Sequence, residues 1–184
     1  MAKLVDFGSR LEPENGYEHL RRTRIELDIN LMNNRRFVYD ANDPNYRNWI
    51  PFEFKLQVGK NELYEYPEEF GATFNMEELN NWFLGMEKLY KEIEIMEQSG
   101  VHFLESKPIL FKFFTLETYF GMDFEYAGEY HIEITVWIVM SMLPNSDSVG
   151  FYRGIRYSAT MEEVKIFMAE LKNELDCLIK TTEK

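Results

Sequence analysis

The sequence predicts an α+β fold: one antiparallel sheet of about six to seven strands, with two amphipathic helices packed on one face. Three observations predict it. Apolar residues alternate with polar ones in several short segments, which is the pattern of strands buried on one face only. The best of these segments follow one another across short turns, as antiparallel neighbours do. Two longer segments switch to helical spacing, and each opens on a capping-box pattern.

The elements follow in order. Residues 1–20 have weak periodicity and read as an irregular arm. From Arg24 to Met32, Ile25, Leu27, Ile29 and Leu31 face one way, and Arg24, Glu26, Asp28 and Asn30 face the other. A long polar loop follows over 33–49, with Asn33-Asn34 and Asp43-Pro44 as turn formers. Phe52 to Val58 alternates again, and a short strand is expected over Leu63–Tyr66, stopped by Pro67. Asn75 with Glu78 three residues on predicts a helix start. Leu79, Trp82, Phe83, Met86, Tyr90 and Ile93 form its apolar stripe, and Gly100 is its stop. Leu84 and Ile95 fall outside that stripe, to be covered by another element or left as a small patch. Val101–Ser106 and Ile109–Phe114 read as strand segments broken near Pro108. Leu116 to Tyr126 and Tyr130 to Met140 form the strongest hairpin, turning at Ala127-Gly128-Glu129. A further strand covers Val149 to Tyr157. Thr160 with Glu163 then caps a closing helix, whose stripe is Val164, Phe167, Met168, Leu171, Leu175 and Leu178.

No linker or repeat divides the 184 residues, so the reading is a single domain over 1–184. Its 20 basic and 32 acidic residues leave a net charge of −12. Nucleic acid and anionic membranes are therefore poor direct partners. The acid concentrates in 61–99, with ten acids against two bases. Such a patch either keeps the protein soluble or attracts a basic protein. One cysteine, Cys177, excludes an internal disulfide and suits a reducing, cytoplasmic location. The first residues carry no apolar signal core.

Catalytic patterns are missing. There is no Gly-rich phosphate loop, no H-E-x-x-H and no G-x-S-x-G. His19, His102 and His131 stand apart, Cys177 has no activating neighbour pattern, and carboxylate pairs such as Glu77/Glu78 are common among so many acids. The reading is a non-enzymatic protein without cofactor or metal. For the Arg21-Arg22 and Arg35-Arg36 pairs, phosphate or RNA binding is one reading, and pairing with the acidic middle of the chain is the better one.

Certain short motifs occur in a telling order. Tyr39-Asp40-Ala41-Asn42 follows the early strand, and Trp49 comes shortly after. Glu77, Glu78 and Leu79 open a helix that continues to Trp82. His102-Phe103-Leu104-Glu105 precedes Pro108 and Leu110-Phe111. Over roughly residues 24–180 this order resembles the WapI family of bacterial immunity proteins. The resemblance implies a cytosolic protein that binds and neutralises the toxic domain of a cognate toxin. It carries no catalytic residues over.

Many such toxins are nucleases, whose phosphate-binding surfaces are basic. The alternation puts Glu117, Asp123, Glu125 and Glu133 on one sheet side with Tyr119 and Trp137. That acidic, aromatic-rich face is the expected partner-binding surface, blocking a basic site on the toxin. The alternative is a small-ligand-binding or enzymatic α+β domain with its site near the 33–49 loop. A homo-oligomer built through Leu84, Ile95 and the N-terminal arm is a third reading.

Overall fold

The structure is a computed structural model, and it describes residues 1–5, 24–32, 49–60, 62–66, 72–100, 107–116, 120–139 and 152–182. The expected segment over 101–106 and most of the 33–49 loop lie outside these residues.

The class is α+β and the pairing antiparallel throughout, as read from the sequence. The strands are more numerous than expected, however, and they form two sheets instead of one. Sheet one contains β1 (Ala2–Val5), β2 (Ile25–Leu31), β3 (Trp49–Val58), β4 (Glu62–Tyr66) and the short β5 (Thr73–Asn75). Its order is β1-β2-β3-β4, with β5 paired to the start of β3. Sheet two runs β6-β7-β8-β9, from β6 (Leu110–Phe114) through β7 (Phe120–Gly128) and β8 (His131–Val139) to β9 (Tyr152–Thr160). Helices α1 (Met76–Ser99) and α2 (Met161–Thr182) follow β5 and β9. Alternation shows that a strand has one dry face but not which strands share a sheet, hence the difference. The expected irregular arm opens with a strand, because Ala2 and Leu4 bury against the inner face beside Leu27 and Ile29. Trp49, expected in the loop, begins β3.

Both helices leave a strand without a loop, and each junction is a capping box. The Asn75 side chain accepts from the Glu77 backbone N–H at 2.9 Å, and the Asn75 N–H donates to Glu78 Oε2 at 2.7 Å. At the second junction Glu163 N–H donates to Thr160 Oγ1 at 3.2 Å, and Thr160 N–H donates to Glu163 Oε2 at 2.9 Å. Each satisfies amide donors that a helix start leaves open. Glu78 does more. Buried at the start of α1, it also accepts from the backbone N–H of Leu116, tying α1 to the end of β6. Gly100 ends α1 in the left-handed region, at φ 69°.

The inner faces of both sheets and the stripes of both helices meet in one buried cluster. Trp82 sits at its centre, stacked on Phe113 at 4.1 Å between ring centroids and near Phe74, Phe124 and Phe167. These rings come from both sheets and from α2. The β7–β8 turn is strained, since Glu129 and Tyr130 both have positive φ. The helices hold it in place. Glu97 of α1 accepts from the Tyr130 N–H at 2.9 Å and from the Tyr126 hydroxyl, while Tyr130 C=O accepts from Met161 N–H at 2.7 Å. Burial and the Glu97 carboxylate push the Tyr126 hydroxyl up to about 12.

Candidate interaction face

The outward sides of the two sheets are built differently. On sheet one, the strand register lines up Lys3, Asp28, Lys55 and Glu65 across four strands, so charges alternate along the row. Lys3 Nζ lies 3.9 Å from Asp28 and also pairs with Glu26. The next row on one side contains Asn30 and Glu53, joined at 3.3 Å. The hydrogen bond from Lys3 holds the Glu26 carboxyl below its usual range. Partial burial, helped by the Glu26 charge, raises that of Asp28 against the pull of Lys3 and Lys55.

On sheet two, three rows cross the outward side. Leu110, Glu125, Glu133 and Ser158 form one, and Lys112, Asp123, Thr135 and Arg156 the next. Phe114, Gly121, Trp137 and Gly154 form the third. Asp123, Glu125, Glu133 and Trp137 therefore share one face, as the alternation predicts. Glu117 and Tyr119 lie outside the described residues. The sequence reading missed the two cations among them. Lys112 Nζ approaches Asp123 at 3.4 Å, and Arg156 binds Glu125 at 2.9 Å and also Glu133. Glu125 and Glu133 stand directly opposite each other, a repulsive placement that Arg156 offsets. The described part of the face thus sets three carboxylates against two cations, more balanced than expected. Only the register reveals this, because Lys112 and Arg156 lie on other strands.

The third row adds aromatic surface. Phe114 is 41% exposed and Trp137 half-buried, and each ring lies against the glycine of the adjacent strand. Trp137 Nε1 and Asp123 Oδ1 are buried polar atoms that have no hydrogen-bond partner among the described residues. On sheet one, Trp49 at the start of β3 is half-buried and falls on the same side of the alternation as Glu53 and Lys55. On α1, Leu84 and Ile95 are 64% and 67% exposed, so no described element covers them.

Among the described residues no group of three or more His, Cys, Asp and Glu could hold a metal ion. No helix among them is long and apolar enough to cross a membrane. Cys177 is exposed on α2.

The comparison with protein families supplies the class: the chain is an immunity protein. It belongs to the Immunity protein WapI-like family, whose model matches residues 19–178, most of the chain, in agreement with the resemblance read from the ordered motifs. No curated protein and no solved structure matches the chain.

Proposed function

We propose that this protein acts as a single domain in the cytoplasm, where it binds a cognate toxin domain and neutralises it by covering its working surface. The family match over residues 19–178 is the observation that carries this reading. Blockade is the mechanism that suits it, since the sequence offers no recognisable catalytic motif.

The outward side of sheet two is the proposed contact. Trp and Arg are the residue types that dominate interface energies, and this face sets Trp137 and Arg156 on adjacent strands. Asp123, Glu125 and Glu133 stand beside them. A net charge of −12 favours a basic, nuclease-like toxin surface and speeds its approach.

The test is co-expression with the toxin domain encoded beside this gene, followed by gel filtration of the lysate. Rescued growth and a co-eluting complex are expected. Unchanged toxicity, with this protein eluting alone, overturns the reading.

A further inference from the structure

The row Phe114, Gly121, Trp137, Gly154 alternates ring and glycine across all four strands of sheet two. Neither glycine is among those with positive φ, so backbone conformation does not require them. Space does. A Cβ built on Gly154 would stand 2.7 Å from Cζ3 and 3.0 Å from Cη2 of Trp137. One on Gly121 would collide with the Phe114 ring and stand 2.9 Å from the Phe113 carbonyl oxygen. Both rings lean the same way, onto bare backbone of the next strand. Strands are spaced by about 4.8 Å, so two rings set two strands apart stand about 10 Å from each other. Glycine inside a strand weakens it, and commonly marks a close approach to the backbone. Here the close approach is by the molecule's own rings.

A ring already pinned flat loses little rotational freedom when a partner covers it, which favours slow dissociation. Asp123 lies in the neighbouring row and Glu125 and Glu133 in the one beyond, so lysines or arginines flanking an apolar contact would meet acid on one side. We infer that Gly121 and Gly154 are positioning residues for toxin recognition. They hold Phe114 and Trp137 as a preformed two-ring anchor for a basic protein partner. This inference rests on the proposed role of the outer face of sheet two.

Gly154 is the position to test, because it is exposed and its close neighbours are ring atoms only. Gly121 also meets backbone. The full chain would be titrated against a catalytically inactivated form of the toxin domain encoded beside this gene. Wild type, Gly154→Ala, Trp137→Ala and the double variant would be compared for association, dissociation and melting temperature. Gly154→Ala should weaken binding about tenfold through faster dissociation, with the melting temperature unchanged or raised, since alanine suits a strand better than glycine. In the Trp137→Ala background the same change should alter binding less than about twofold, because Gly154 acts through the ring. Normal binding by Gly154→Ala while Trp137→Ala binds weakly overturns the positioning role and leaves the face in place. So does an equal loss from Gly154→Ala in both backgrounds. Normal binding by Trp137→Ala overturns the proposed face itself, and this inference with it.

Discussion

The two sheets bury similar apolar faces and present opposite kinds of outer surface. On sheet one the register spends its outward positions on alternating charge: Lys3, Asp28, Lys55 and Glu65 in one row. On sheet two it groups a charged cluster beside a row of two rings laid over two glycines. Sheet one's pairs are partly sheltered, with Glu26 and Asp28 half-buried, whereas those of Arg156 with Glu125 and Glu133 on sheet two are more open to water, where ion pairs contribute little to stability. An exposed ring held flat contributes little to folding but offers area that a partner can cover. One periodicity-two rule therefore yields a face of paired charges and a face of rings beside charges, and the difference lies in which residues the register sets side by side.

The largest expected effect tests what the two sheets share. Trp82 touches rings from both sheets and from α2, so Trp82→Ala should cost about 3–5 kcal/mol. Urea unfolding should show one transition at lower midpoint. Two separate transitions would mean that the sheets are independent.

Trp137→Ala contrasts the outer faces directly. It should weaken toxin binding by about 2 kcal/mol, roughly 30-fold, whereas Lys55→Ala on sheet one should change it less than about twofold. Calorimetric titration of both variants decides the matter, and equal effects would erase the distinction.

Glu78 joins the halves, capping α1 after β5 and accepting from Leu116 beyond β6. Glu78→Ala leaves buried donors unsatisfied and should cost about 2 kcal/mol. Glu163→Ala, which removes the carboxylate that accepts from the Thr160 N–H, should cost about 1 kcal/mol. Thermal melts of the pair measure the gap.

Charge gives a smaller contrast. Replacing Glu125 and Glu133 by Gln should slow toxin association by about three- to tenfold at low salt, and the difference should shrink as salt rises. The matching pair on sheet one, Glu53 and Glu65, should alter the rate less. Stopped-flow mixing across ionic strengths reads both.

The smallest effect falls on sheet one alone. Because the folded Asp28 carboxyl titrates above its unfolded range, its ionisation opposes folding once pH rises past that range. Asp28→Asn should therefore raise the melting temperature slightly at neutral pH and leave it unchanged in acid, where both states hold the proton. Glu26 has the opposite sign: its stabilisation is present at neutral pH and is lost as pH falls through its lowered folded value.

What the sequence determined by itself is local. Hydrophobic spacing placed β2, most of β3, the β7–β8 hairpin and both helical stripes, because strand and helix periods are written within a few residues. Asn75/Glu78 and Thr160/Glu163 were legible as caps for the same reason, since each box closes over three residues. The ordered motifs carried the family, and alternation set Asp123, Glu125, Glu133 and Trp137 on one side. The tertiary structure decided what stands beside them. Arg156 meets Glu125 from 31 residues away, and Glu78 reaches Leu116 across 38. The Trp137 ring lies over Gly154 from the neighbouring strand, so close that a Cβ there would stand 2.7 Å from it. The division of nine described strands into two sheets belongs here too. Such facts depend on pairing register between distant segments, which the packing of the whole core selects and no local window contains.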